Sequence, residues 1–271
     1  MMFVAAECTP TSFKDFTLIM PAISVGNVGQ LAVDLIVSTL NMCRVGYIHT
    51  DCLIPMAGNN PYATFAENAN DLSTNAEVYS SPELRLAVLQ IRTPIIQTKS
   101  KKFCKLMVSW IKASGFSRTV VLSSSHAYQR DDQQLLGSPL RYLQTPSMQK
   151  VTGDRLKEME WKEMETVSTF PGVTDSEQRL YIPGGGATKG LFTDSCAEDI
   201  PLHVVVSVPA VLRTLFSMVS LCSSCAEDIP LHVVVSVPAV LRTFFSMVLS
   251  LCSSCAEDIP LHGVVSVFQL C

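Results

Sequence analysis

The sequence lacks any excess of positive charge. Its 20 lysines and arginines are outnumbered by 24 aspartates and glutamates, for a formal charge of −4. From Ser195 onward there are six acids and two arginines, so the first 194 residues carry 18 of each sign. Without a net basic surface the chain is a poor match to a nucleic-acid backbone, where phosphate contacts supply most of the affinity. The opening stretch "MMFVAAECTPTSFKDF" has no basic region ahead of its short apolar run, so no secretory signal is expected. A dense cysteine framework is missing too. Cys8, Cys43, Cys52 and Cys104 are scattered as in a reduced cytosolic protein. What the chain has is length and apolar content: 271 residues, 48% hydrophobic, enough for one large domain or two small ones and against global disorder.

The most suggestive short stretch is Pro21 to Gln30, "PAISVGNVGQ". A strand-length apolar run, "FTLIMPAI", precedes it. Leu31, Leu35, Ile36 and Leu40 follow at helical spacing, with Val28, Ala32 and Val33 filling the same side. The chain turns at Asn41 and enters a second candidate strand, "RVGYIHT", which ends at Asp51, 22 positions after Gly29. Strand, Gly-rich turn, helix, strand and acid follow the order of a dinucleotide fingerprint. Ser24, however, holds the place of the first glycine. Nucleotide binding through Gly26, Gly29 and Asp51, and a turn that only lets helix and strand pack closely, are both open on these residues.

Through about residue 208 the pattern is α/β. "LRLAVLQI" (84–91) and "RTVVLSS" (118–124) are candidate strands, and Phe103, Leu106, Met107, Trp110 and Ile111 form a helical face that Gly115 stops. Lys99, Lys101, Lys102 and Lys105 are expected at that helix's solvated entry. "TGDRLKEMEWKEMET" is expected as a peripheral amphipathic helix. Strands alternating with helices imply a largely parallel sheet in a three-layer α/β/α arrangement.

From Ser195 the texture changes. "SCAEDIPLHVVVSVPAVLRTLFSMVSLCS" returns at Ser224, and "SCAEDIPLHGVVSV" begins a third time at Ser254. Natural repeats keep sparse signature positions, whereas these copies match at surface and core alike, as a recent tandem duplication or a gene-model artefact would. Cys222, Cys225, Cys252 and Cys255 form two CxxC pairs, with His203, His232 and His262 nearby. That spacing suits zinc, but one duplication creates the whole set at once, so no metal site is expected. Leu202–Cys222 and Leu231–Cys252 are long enough to span a bilayer, yet each carries a central arginine, Arg213 or Arg242, and a proline, Pro209 or Pro238. A strand "HVVVSV" followed by a separate helix explains the first copy better, and membrane attachment is the weaker alternative.

Catalytic constellations are thin. Ser123-Ser124-Ser125-His126 follows a strand without a G-x-S-x-G elbow, and "IPGGGATKG" (182–190) has no lysine in the phosphate-loop position. Asp131 and Asp132 have no assigned work. No catalytic, cofactor-binding or metal residue is therefore assigned.

Taken together, "FTLIMPAISVGNVGQLAVDLIVSTLN", "GYIHTDCLIPMAGNNPYAT", "NAEVYS", "VVLSSSHAYQRDD", "RYLQTPSMQK" and "IPGGGATKGLF" resemble the proteasome assembly chaperone 2 family, from the first residues to about Val208. The resemblance implies an α/β/α fold, no cofactor and a non-enzymatic role in cytoplasm and nucleus. It also implies pairing with proteasome assembly chaperone 1, and a grip on α subunits during assembly of the 20S core particle's α ring. It makes Gly26 and Gly29 packing glycines, Asn27 a helix cap, and Asp51 the start of a polar loop through "MAGNNPY". Residues 1–208 are expected as the chaperone domain and 209–271 as a weakly packed repeat tail. The chain ends Phe268-Gln269-Leu270-Cys271, without the hydrophobic-Tyr-X tail used in the wider group.

Overall fold

The computed structural model describes residues 2–6, 12–63, 70–126, 140–152, 155–164, 167–168, 178–179 and 186–207. The second and third repeat copies, both CxxC pairs, His232, His262, Arg213, Arg242, Asp131 and Asp132 lie outside these residues, and so do the two apolar segments beyond Ser207.

Eight strands form one sheet: β1 (Met2–Ala5), β2 (Thr17–Pro21), β3 (Cys43–His49), β6 (Ala76–Ser81), β7 (Leu86–Ile91), β8 (Arg118–Ser124), β9 (Arg141–Gln144) and β12 (Leu202–Ser207), in the order β1-β3-β6-β7-β2-β8-β12-β9. Short pairs β4 (Ala57–Asn59) with β5 (Leu72–Thr74), and β10 (Val167–Ser168) with β11 (Gln178–Arg179), stand apart. The centre is parallel: β7 pairs with β2, β2 with β8, and β8 with β12. The flanks are antiparallel, with β6, β3 and β1 on one side and β9 on the other. Five of the eight strands run one way, so the sheet is mixed, with its parallel part confined to the middle.

The parallel strands are apolar on both faces because helices cover both. Leu18, Met20, Val121 and Val204 belong to one core with Phe103, Met107 and Trp110 of the helix over Ser100–Ser114. This helix, α2, lies beside α5 (Gly186–Ala197), which adds Leu191 and Phe192 to the same core. On the other face sits α1 (Val28–Thr39), whose buried stripe is Val28, Gly29, Ala32, Val33, Ile36 and Val37. The expected face is thus rotated: Leu31, Leu35 and Leu40 are only half-buried, because Gly29 and Ala32 let the helix lie close. Gly115 ends α2 as expected, in the left-handed region at φ 73.

Two expectations fail. "MAGNNPY" is no simple polar loop, since Ala57–Asn59 pairs with Leu72–Thr74. Nor is 152–166 one helix. Two short helices, α3 (Pro146–Thr152) and α4 (Arg155–Glu158), are followed by a turn at Glu160, φ 58. The chain then runs beside β9, where Met164 N–H donates to the Tyr142 carbonyl (2.8 Å) and Tyr142 N–H to the Lys162 carbonyl (3.1 Å). Burial of Leu156 and Met164 outweighs the helical charge pattern.

Candidate functional site

The glycine turn between β2 and α1 is filled by the protein itself. Gly26 takes φ 70 and Asn27 φ 54, the left-handed region that glycine and asparagine tolerate best. A Cβ on Gly29 would lie 2.3 Å from the Leu122 carbonyl oxygen, so glycine there lets α1 start against the end of β8. Asn27 occupies the N-cap position, but its side chain makes no capping bond, because left-handed backbone does not present it to the first turn. Ser24 closes the turn from the other side. Its hydroxyl accepts from Ser124 N–H (3.0 Å) and lies 2.8 Å from the Ser124 hydroxyl, which also meets the Val25 carbonyl.

Asp51 lies three strands away from this turn along the sheet. β6 and β7 intervene between β2 and β3, about 14 Å of strand spacing, whereas the fingerprint needs its two strands adjacent. The carboxylate instead holds Lys99 and Lys102, both at 2.9 Å, whose hydrogen bonds (Lys102 foremost) keep it well below the usual carboxylate range. Of the serine run, Ser123 and Ser124 are buried and engaged: Ser123 bonds the Thr188 hydroxyl at 2.8 Å, and Ser124 bonds Ser24. His126 is exposed beyond the strand end. In "IPGGGATKG", Gly186 opens α5, and Gly190 lets that helix meet α2, since a Cβ on it would sit 2.7 Å from Cys104 Sγ.

The richest polar constellation lies beside α1, over β3, β6 and β7, and composition did not point to it. Glu77 is fully buried on β6. It accepts from Arg44 Nη1 (3.2 Å), Ser73 Oγ (2.8 Å), Tyr79 Oη (2.8 Å) and Thr74 N–H (3.1 Å). Asp34 on α1 accepts from Tyr62 Oη (2.5 Å), Gln90 Nε2 (2.7 Å) and Arg92 (2.9 Å). Burial, then the neighbouring carboxylates, push both phenols far above their ordinary range. Each carboxylate oxygen of the two acids has a donor within the protein. The network ties Tyr62 and Leu72–Thr74 to the sheet and to α1, a positioning task. Among the described residues no three metal-ligating side chains converge, and no helix is long and apolar enough to cross a membrane.

The sequence profile of the PAC2 family matches residues 18–226. The chain belongs to the PAC2 family. It is 68% identical over 205 residues to proteasome assembly chaperone 2 of Danio rerio, covering 76% of this chain and 79% of that protein. Human proteasome assembly chaperone 2 is 54% identical over 205 residues, covering 76% and 78%. Among solved structures, Pyrococcus furiosus PbaA, described as an archaeal homologue of proteasome-assembly chaperone, superposes with a TM-score of 0.56 over 92% of each chain at 11% identity. That distant match speaks for the fold alone. The family resemblance read from the sequence blocks therefore holds.

Proposed function

We propose that this chain is a non-enzymatic chaperone of the cytoplasm and nucleus that pairs with proteasome assembly chaperone 1 and promotes assembly of the 20S proteasome α ring. The observation that carries the reading is the 68% identity to a relative bearing the proteasome assembly chaperone 2 name, over three quarters of the chain. The geometry supports it in kind. Gly29, one of the two glycines that could have cradled a phosphate, meets the Leu122 carbonyl instead, and Glu77 and Asp34 hold loops in place. A pairing surface must stay solvated in the lone protein. Expressed alone, the chain is expected to be poorly soluble or self-associated, and co-expression with proteasome assembly chaperone 1 is expected to give a one-to-one complex in gel filtration. A stable, soluble monomer that ignores that partner would defeat the reading. So would low-micromolar binding of NAD, NADP or ATP that Asp51→Ala abolishes, which would favour a Rossmann-like enzyme.

A further inference from the structure

Two loops at the carboxyl ends of β3 and β7 are joined into one platform. Ile96 N–H donates to the Cys52 carbonyl at 2.9 Å, Leu53 bridges Ile95, and Lys99 Nζ donates to the Asp51 carbonyl at 2.9 Å. Its middle is apolar and exposed: Ile54 is 46% exposed, flanked by exposed Pro55 and Pro94. Its border is basic. Lys99 and Lys102 stand there and share Asp51, their one salt-bridge partner among the described residues, and Lys101 and Lys105 follow on α2. Lys101 and Lys105 are exposed and form no salt bridge among the described residues. The asymmetry runs along the chain, since Leu84 to Arg130 holds nine lysines and arginines and no aspartate or glutamate.

This arrangement works against local stability. Lysines three and four apart on one helix repel, and cations near a helix start oppose its dipole. Local rules are broken in this way mostly where another requirement outweighs them. An apolar centre inside a charged border is the anatomy of a protein interface. The uncompensated charge calls for carboxylates on the partner, and the exposed isoleucine and prolines call for an apolar anchor, which a nucleic acid does not offer. A small centre with a charged rim suits a transient, salt-sensitive client contact more than permanent pairing, whose surfaces are large and apolar.

We infer that the face built from residues 51–56 and 93–105 grips a carboxylate-rimmed apolar feature of a proteasome α subunit. This rests on the chaperone reading above. The test uses the full chain co-expressed with proteasome assembly chaperone 1, and measures binding of recombinant α subunits at low and moderate salt. Lys101→Glu with Lys105→Glu, and separately Ile54→Ser, should each weaken α-subunit binding about tenfold and leave pairing and melting temperature unchanged. The charge variant should also flatten the salt dependence. Binding within twofold of the parent for both variants overturns the inference and leaves the chaperone reading standing. Loss with the charge variant alone marks a general polyanion contact and overturns it too. A parent complex that takes no α subunit removes the chaperone reading itself and this assignment with it.

Discussion

His203 sits on β12 with no exposed surface, stacked on Tyr142 at 5.6 Å between ring centroids and beside Trp161 at 6.3 Å. Neither ring nitrogen has a hydrogen-bond partner among the described residues, so the ring is held neutral in an aromatic slot. Burial pushes its pKa from 6.5 down to about 3. Between those values the unfolded chain binds a proton that the folded chain refuses. The contribution is therefore fully present above pH 6.5 and is lost as pH falls toward 3, by up to about 1.4 kcal/mol per unit. At pH 5 the deficit reaches about 2 kcal/mol. His203→Phe keeps the stack and removes the titration. Thermal melts at pH 7.5 and 5.0 should show a clearly smaller acid-induced drop for the variant. Equal drops would mean that the ring is hydrated or partnered. Exposed acids held by lysines, Asp51 and Glu198, also lose stability as pH falls, but equally in both proteins.

Helix α5 decides which repeat copy enters the sheet, because the strand segment cannot. Ser195–Val208 and Ser224–Val237 have one sequence, and Leu202–Ser207 of the first copy is seated between β8 and β9. The copies differ just upstream. Where α5 has Gly190 and buried Leu191, the second copy has Val219 and Ser220, and the third has Leu249 and Ser250. A side chain at 190 would press on the buried Cys104, and a serine at 191 would empty part of the core. Gly190→Val should therefore lower stability by about 1–3 kcal/mol, the usual range for overpacking. Adding Cys104→Ala should restore at least half of the lost melting temperature, and no restoration would show that the cost arises elsewhere. The elements that sequence periodicity revealed are the apolar ones: β2, α1, β3, β7, α2, β8 and β12. Strands β6 and β9 escaped it because each buries a charged residue, Glu77 and Arg141, that breaks the apolar alternation. The polar network escaped for the same reason. Its members come from six separate stretches between Asp34 and Arg92, and only the fold brings them together. Conversely, the glycine turn, apart from Ser24, followed the order of a dinucleotide fingerprint along the chain and failed in space, since strand order separates Asp51 from the turn.

At the scale of the whole molecule, the open matter is how much chain the chaperone needs. The family profile runs to residue 226, and the 68%-identical relative aligns over 205 residues, 76% of the chain. The sheet offers a single place between β8 and β9, already filled from the first copy through a six-residue parallel register. Glu198 and Asp199 of that copy are committed as well, to Lys112 at 2.8 Å and to the Ser147 hydroxyl. Later copies bring the same strand and the same acids to positions that no longer exist in this domain. Strand-forming segments without a place in a sheet favour aggregation. Deleting residues 224–271 is therefore expected to leave the melting temperature and pairing with proteasome assembly chaperone 1 unchanged or improved, and to raise soluble yield. A melting temperature several degrees lower, or lost pairing, would show that the later copies contribute to the working chaperone.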